Sequence, residues 1–208
     1  MNELKCIENL TEAVAAAKEE YSEIESACIK DCELAEFDFS KLRWSEVVFE
    51  NCRFKECDFR KSEFVSVVFK KSDLSNSRFS DSYFHKVDFT GVKAVGAYYI
   101  DCVADEIKIT DSNFSFANLT KTKFKTCTFK ETDLHEAILS DCNLKTVTFD
   151  SVRLCKADFY KTMLKSVDLR TCDISGIVLS DTLQELKGAV VELTQAAELA
   201  KKLGIIIK

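Results

Sequence analysis

Phenylalanine recurs at every fifth residue between Phe49 and Phe69, in the stretch VVFENCRFKECDFRKSEFVSVVF. A half-buried strand needs an apolar residue at every second position and an amphipathic helix one at every three to four, so neither fits. Counted from Ile29, large central residues follow at this interval to Leu179 without a slip, which makes 31 consecutive units. Fourteen of the 16 phenylalanines occupy these centres, so the five-residue period constrains the fold of most of the chain.

A second constrained position lies two residues before each centre. In 27 of the 31 units it holds Ala, Ser, Thr, Cys or Val, and none of these positions or centres is charged. Two of every five side chains are therefore predicted to face a closely packed interior. Valine is concentrated at these small positions at 20-residue intervals, as at Val47, Val67 and Val87. This interval predicts that four units complete one coil and that like residues stack from coil to coil.

The units resemble the pentapeptide repeat family, as in ANLTK (117–121), ADFYK (157–161) and SDLSN (72–76). The resemblance covers about three quarters of the chain. It implies an all-β fold, a right-handed quadrilateral β-helix of about eight coils. At the usual strand spacing of about 4.8 Å, the coils would form a rod roughly 37 Å long.

The termini are expected to cover the open ends of this solenoid, because exposed β-edges invite association. We predict a helical N-terminal cap at 1–25 with a helix over 3–21, the β-helix at 26–181, and a helical C-terminal cap at 182–208. Thr182 and Glu185 suit a capping box, and a helix from Thr194 to Leu203 would end at Gly204. The C-terminal segment is predicted to form a homodimer through Ala196, Leu199, Ala200, Leu203, Ile205 and Ile207.

Cysteine and histidine do not form a recognisable site. Seven of the ten cysteines fall in the small inward position, namely Cys32, Cys52, Cys57, Cys102, Cys127, Cys142 and Cys172. They are interpreted as buried apolar residues, and Cys155 is predicted to be the exposed thiol. The sequence contains no Cys-x2-Cys pair, so a zinc site is not expected. His85 and His135 each follow a centre and should face solvent. We expect no catalytic, cofactor or metal site, and a cytoplasmic location because no signal peptide is evident.

The segment Gly91–Thr110 differs from its neighbours. It keeps the register, but Ala94 and Ala104 replace bulky centres, and it holds two of the five glycines. These substitutions predict a narrowed or dented coil, because glycine tolerates unusual backbone angles. The dent is interpreted as a partner-contact patch or, alternatively, as a degenerate repeat. The contact candidates there are Tyr98, Asp101, Asp105 and Glu106.

Within the family, the chain resembles the quinolone-resistance and gyrase-interacting group. The resemblance rests on CVADEIKITDSNFSFANL (102–119) and on the ending LKGAVVELTQAAELAKKLGIIIK (186–208). It implies a non-enzymatic protein that imitates DNA and binds a type II topoisomerase, DNA gyrase or topoisomerase IV. Such a protein would modulate the enzyme or protect it from quinolones or toxins, without binding nucleic acid or membrane itself. The alternative is a scaffolding solenoid that mediates other protein–protein contacts.

The net charge of the coils can be compared with that of the DNA duplex that such a protein would imitate. A DNA duplex carries about one negative charge per 1.7 Å, whereas residues 27–181 have a net charge of only −2. The acidic candidates share one face with Arg53, Lys55, Lys93 and Arg153, and the adjacent face carries Lys123, Lys125, Lys145 and Lys165. The further contact candidates on the mixed face are Glu33, Glu36, Asp73, Asp133 and Glu136.

Overall fold

A computed structural model describes residues 4–207. The chain winds into a right-handed parallel β-helix of about seven turns with a short helix near each terminus, which confirms the predicted fold class. The strands are β1 (Lys5–Cys6), β2 (Ile24–Lys30), β3 (Glu33–Ala35), β4 (Arg43–Glu50), β5 (Arg53–Lys55), β6 (Glu63–Val65), β7 (Val68–Lys70), β8 (Tyr83–His85), β9 (Asp88–Thr90), β10 (Val103–Asp105), β11 (Lys108–Thr110), β12 (Lys123–Lys130) and β13 (Asn143–Asp150). The helices are α1 (Leu10–Glu20) and α2 (Leu193–Lys202), with a 3₁₀ turn at Gln184–Leu186. None of the helices in this described part is long and apolar enough to cross a membrane.

The five-residue period arises from a corner in each unit. The residue two positions after each centre has a positive φ in almost every unit, for example Asp31 at 51°, Asn51 at 54° and Lys71 at 49°. This left-handed conformation turns the chain, so that each side of the coil is one short extended segment. The centre and the small residue two positions before it then both point inward, as the sequence predicts.

Successive coils pair in parallel with a register of 20 residues. Ile24 is the register partner of Trp44, which in turn pairs with Phe64. Ile24 is buried, so the first unit begins one period earlier than Ile29. One outward row, from Asp38 to Val178, contains eight rungs joined by seven steps of 20 residues.

Stacked aromatic rings form a large part of the core, together with leucine, isoleucine and valine side chains. Phe49 and Phe69 lie on neighbouring coils with their ring centroids 4.8 Å apart and an interplanar angle of 8°. The rings of Phe59 and Phe79 stack in the same way at 4.7 Å. All four side chains are fully buried, and each contributes about 1.5–3 kcal/mol through removal of apolar surface from water.

The small inward residues have a second role that the sequence analysis missed. The Ser82 hydroxyl donates to the Phe59 carbonyl oxygen at 3.0 Å, and the Cys102 thiol donates to the Phe79 carbonyl oxygen at 3.1 Å. The same contact, 23 residues back along the chain, recurs at Cys57 and Cys142. Serine, threonine and cysteine are therefore suited to this position because they are small and can satisfy a buried backbone carbonyl group.

The N-terminal end is a strand followed by a helix. β1 pairs with β2, matching Cys6 with Cys28, and α1 begins only at Leu10 after Asn9, whose side chain accepts from the Glu12 amide. The prediction of a helix over 3–21 is therefore wrong for its first part, and residues 1–3 lie outside the described range. Leu10, Val14 and Ala17 of α1 are buried on the first coil.

The C-terminal end is closed by Glu185. This residue is only 2% exposed, and its carboxylate accepts from the Lys161 amide at 2.9 Å and from the Ser180 hydroxyl at 2.8 Å. Burial opposes ionisation, but these hydrogen bonds outweigh it and the pKa of Glu185 is lowered. The predicted capping box of Thr182 and Glu185 is wrong, because this carboxylate satisfies the preceding coil.

Helix α2 lies one residue from its predicted start and end. Its first turn is fixed by Gln195, whose Oε1 accepts from the Glu192 amide at 2.8 Å. The amide group of the same side chain donates to the carbonyl oxygens of Leu169 and Cys172. Gly204 follows the helix with a φ of 77°, which confirms the predicted glycine stop.

The backbone ladder is interrupted near this end. In residues 4–207, no backbone hydrogen bond joins 143–151 to 163–170, and residues 164–169 bond to 185–190 instead. Leu144 and Val147 are accordingly only half-buried. The backbone pairing between coils continues on the other two sides, since Arg153 pairs with Asp173 and Asp158 pairs with Val178.

Candidate partner-binding surface

Three of the predicted acidic contacts lie in a single row along the rod. The register places Glu33 against Arg53, Arg53 against Asp73, and Asp73 against Lys93. Beyond Asn113 the row continues with Asp133, Arg153 and Asp173. We call these eight residues the alternating row (33, 53, 73, 93, 113, 133, 153 and 173), because acid and base mostly succeed each other.

Three of the four acids of the alternating row, Glu33, Asp73 and Asp133, are paired with neighbouring bases. Arg53 Nη1 lies 3.1 Å from Glu33 Oε1, and Arg153 Nη1 lies 3.2 Å from Asp133 Oδ2. Asp73 lies near two lysine ammonium groups, at 3.8 and 3.9 Å. The row is therefore locally neutral and does not form the continuous anionic stripe of a duplex.

The other two acids of this face lie at its corners. Glu36 is exposed and has a φ of 54°. Glu136 Oε1 contacts Lys156 Nζ at 3.2 Å and His135 Nε2 at 3.3 Å. His135 is also held by Nδ1, which lies 3.1 Å from the Cys155 carbonyl oxygen. This histidine is half-buried and fixed, whereas the sequence predicted one that faces solvent.

A second row has fewer charged residues, with its lysines together at one end. It runs in register through Glu25, Ser45, Val65, His85, Asp105, Lys125 and Lys145. We call these seven residues the graded row (25, 45, 65, 85, 105, 125 and 145); Lys165 follows at the same interval in sequence, but the backbone ladder is interrupted before it. Lys125 Nζ contacts Asp105 Oδ2 at 2.7 Å, whereas Lys145 and Lys165 form no ion pair within the described chain. Lys125 and Lys145 of the predicted lysine face are thus the cationic end of this row. That face lies two units from the alternating row, so on a four-sided coil it is the opposite side and the prediction of an adjacent face is wrong.

Backbone register does not support a dent in Gly91–Thr110. Val103 pairs in register with both Tyr83 and Lys123, as on an ordinary coil. The change is internal: beside Ala94 and Ala104 the buried Tyr99 hydroxyl has no hydrogen-bond partner. A cavity of about 30 Å³ lies at this point, and burial raises the pKa of Tyr99.

The four candidates of this segment divide between two sides of the coil. Tyr98 is 42% exposed and lies in a shallow depression with Asp101, Asp81, Arg60 and Arg78. We call these five residues the Tyr98 patch.

Asp105 and Glu106 belong to the next side, that of the graded row. In the described range, the ion pairs of this segment use Asp105 and leave Asp101 and Glu106 without a basic partner. The sequence analysis missed Asp81 and Arg78, although the 20-residue interval places Arg78 directly against Tyr98.

The predicted dimer residues differ in accessibility. Leu199 is buried against the core of its own chain, and Ala196 and Ala200 are half-buried. Leu203, Ile205 and Ile207 are exposed, at 60%, 51% and 48%. Leu193 and Ile206, which were not among the candidates, are the most exposed apolar residues here, at 84% and 83%.

The thiols follow the predicted pattern with two exceptions. Burial raises the pKa of Cys52 and Cys102 to about 12, which keeps both protonated and unreactive. Cys32 is only half-buried, although it was placed among the inward cysteines. Cys155 is half-buried and Cys6 is exposed, so the prediction of Cys155 as the exposed thiol is wrong.

A groove of about 850 Å³ lies between α1 and the first coil. Its walls include Lys18 and Asp38, which form an ion pair at 2.8 Å, and the exposed side chain of Tyr21. Burial opposes ionisation of Asp38, but Lys18 and Ser40 lower its pKa to about 2. The charged groups of this groove therefore fasten the helix to the coil.

Comparisons with known proteins agree with this architecture. The family model described as "Pentapeptide repeat region" matches residues 22–99, 42–119 and 110–179. Full-length QnrB1, a plasmid-mediated fluoroquinolone resistance protein, is 22% identical, with a TM-score of 0.53 over 86% of this chain and 91% of that chain. A trypsin-treated QnrB1 variant gives a TM-score of 0.56 at 22% identity, over 88% of this chain and 90% of that chain.

These likenesses show a shared fold, and no curated protein sequence matches the chain. The family matches together span residues 22–179, well over half of the 208 residues. The chain therefore belongs to the pentapeptide repeat family.

Proposed function

We propose that this protein is a non-enzymatic, cytoplasmic binding protein that contacts a type II topoisomerase, DNA gyrase or topoisomerase IV, and modulates it or protects it from quinolones or toxins. The observation that carries the proposal is the rod itself. Its coils continue without an inserted loop from Ile24 to Leu179, and its ends are covered by α1 and α2. The likeness to QnrB1 extends over most of both chains, which supports the same kind of use.

The contact is proposed to centre on the Tyr98 patch. An exposed aromatic ring beside unpaired carboxylates gives both apolar contact area and charge, and tyrosine is enriched in binding hot spots. The patch carboxylates Asp81 and Asp101 form no ion pair in the described range, whereas the acids Glu33, Asp73 and Asp133 are held by arginine or lysine. Acids that are already paired have less potential to offer a basic groove on a partner.

A supercoiling assay with purified gyrase tests this function. The proposal expects the protein to inhibit supercoiling, or to restore it in the presence of a quinolone, at micromolar concentration. The control is the same protein after heat denaturation, with its loss of structure shown by circular dichroism. No effect of the folded protein in either format on gyrase or topoisomerase IV would overturn the topoisomerase assignment.

Self-association is proposed through the C-terminal segment. The C-terminal segment exposes the large apolar side chains of Leu193, Leu203 and Ile206 to water. Such exposure is typical of an interface. Truncation after Asp181 would also remove Glu185 and open the last coil, so it does not isolate the interface. Ile206→Asp, with Val178→Asp as an exposed apolar control, should convert a dimer to a monomer in light scattering. A dimer that persists in Ile206→Asp would contradict this interface.

The second candidate is a scaffolding solenoid with a different protein partner. The neutrality of the alternating row favours it, because a locally neutral face suits partners other than a DNA-binding groove. Affinity capture with the wild-type rod and with a Tyr98→Ala, Asp101→Lys variant separates the candidates. Recovery of a non-topoisomerase partner by the wild type alone would support the scaffold.

A further inference from the structure

Three metal-ligating side chains meet on the graded row. Asp105 is the register partner of His85 on the next coil, and Glu106 follows at the corner with a φ of 56°. One ligand atom from each of the three residues lies within 4.8 Å of the others. Within residues 4–207, this is the one group of three such side chains in so small a space.

Two atoms of this cluster are buried without a hydrogen-bond partner. They are Nδ1 of His85 and Oδ1 of Asp105. His85 Nδ1 lies 3.9 Å from Asp105 Oδ2, too far for a hydrogen bond. Buried polar atoms in native proteins are normally satisfied, so two neighbouring exceptions on facing side chains call for a missing partner. A cation between them would satisfy both.

The spacing fits a small divalent ion after a modest adjustment. Zinc bonds of about 2.0–2.2 Å in tetrahedral geometry place ligand atoms about 3.4 Å apart. The distance of 3.9 Å between His85 Nδ1 and Asp105 Oδ2 would need to shorten by about half an ångström. The exposed Glu106 side chain is free to rotate inward. Imidazole with two carboxylates suits zinc and its first-row neighbours, whereas magnesium and calcium prefer oxygen ligands alone.

We propose that His85, Asp105 and Glu106 form a binding site for a divalent transition-metal ion, represented by Zn²⁺, with water completing the coordination.

Lys125 tunes this site. Its ammonium group already lies 2.7 Å from Asp105 Oδ2 and acts as a resident cation. Lys125 is exposed and can swing away, but a metal ion must displace it. Removal of this amine should therefore strengthen metal binding, an effect that a purely structural ion pair would not produce.

Calorimetric titration of the full chain with ZnCl₂ tests the site. The background carries Cys6→Ser, because the exposed thiol could bind zinc itself. The proposal expects one equivalent of zinc, affinity at least tenfold weaker in His85→Ala and in Asp105→Asn, and affinity several-fold tighter in Lys125→Met. His135→Ala is the matched control, since its ring lies beside one carboxylate only, and should bind like the background.

Circular dichroism and urea unfolding of each variant show whether the fold is retained. Three results would overturn the proposal: no zinc uptake by the background protein, unchanged affinity in folded His85→Ala, or equal binding of MgCl₂. The last would indicate a general acidic patch. The site does not depend on the topoisomerase assignment, because the titration contains no partner protein.

Discussion

The alternating row and the graded row lie on opposite sides of the four-sided rod, two five-residue units apart, and they distribute charge differently. In the alternating row, a base lies beside nearly every acid, as Arg53 does between Glu33 and Asp73. In the graded row, Glu25 lies at the start, Asp105 pairs with Lys125, and Lys145 at the end has no acidic partner in the described range. The rows therefore differ in the number of charged residues and in their order at 20-residue intervals.

This contrast teaches that net charge is a poor guide to what a solenoid surface can bind. The β-helix places every twentieth residue within one strand spacing, and cross-strand pairing then decides which charges remain available. On the alternating row, Glu33 and Asp133 form ion pairs with arginines. On the Tyr98 patch, Asp101 forms no ion pair in the described range. Four changes to the chain would break or sharpen this comparison.

The largest effect is expected from Phe64→Ala, which removes a support common to both rows. The Phe64 side chain is fully buried, with its ring 4.8 Å from Phe84 and 6.5 Å from Trp44. Loss of such a ring costs about 3–5 kcal/mol of unfolding free energy, measured by urea denaturation. Phe116→Ala is the control, since that ring is 52% exposed. Equal losses in both variants would contradict the assignment of the core.

The next effect is Arg53→Glu, which would break the alternating row. The variant places three acids on successive rungs, and like charges directly opposite each other are unfavourable. A loss of about 1–2 kcal/mol is expected in low salt, shrinking as salt screens the repulsion. Lys71→Glu, flanked in register by Asn51 and Gly91, should lose much less. Similar losses of unfolding free energy in the two variants would show that neighbouring charges of the alternating row do not interact.

Acid titration probes a third row, in which Glu50 lies in register between Lys30 and Lys70. Hydrogen bonds from Lys70 and Lys30 lower the pKa of Glu50 from 4.5 to about 2. The stabilisation that this carboxylate provides is therefore complete above about pH 4.5 and is lost as the pH falls toward 2. Glu50→Gln should flatten the decline in unfolding temperature over that range. An unchanged pH profile would exclude the pairing.

The smallest effect is expected from Lys145→Glu on the graded row. The new acid would lie in register beside Lys125, so it should relieve repulsion and stabilise the fold by a few tenths of a kcal/mol. Differential scanning calorimetry at low ionic strength should detect a slightly higher melting temperature. The gain should vanish at about 1 M salt, where the Debye length is only about 3 Å. A decrease at low salt would contradict the segregated order of charge.

Sequence periodicity predicts most of this fold because the residue type at each inward position, apolar or small and uncharged, indicates that the position is buried. Phe49 above Phe69, the 20-residue register and the glycine after α2 all follow from spacing and local propensity. The ends are less predictable. Glu185 looks like a helix-capping residue in sequence, but its carboxylate binds backbone amides that only the folded coil brings near.

The candidate surfaces are less well determined by the sequence than the core. Outward residues are free to vary, so the sequence identified Asp101 and Asp133 with equal weight. Only the register shows that Asp133 faces Arg153 while Asp101 has no basic partner in the described range. The His85 cluster was missed for the same reason, since its residues are 20 apart and match no metal-binding motif.

Direct binding to gyrase tests the central claim, that unpaired acids and Tyr98 make the contact. Wild-type protein, Asp101→Lys and Asp133→Lys would each be titrated against immobilised gyrase by interferometry at constant salt. The account predicts that the wild type binds, that Asp101→Lys weakens binding at least tenfold, and that Asp133→Lys changes it less than about threefold. Absence of wild-type binding, or a larger loss in Asp133→Lys than in Asp101→Lys, would contradict it.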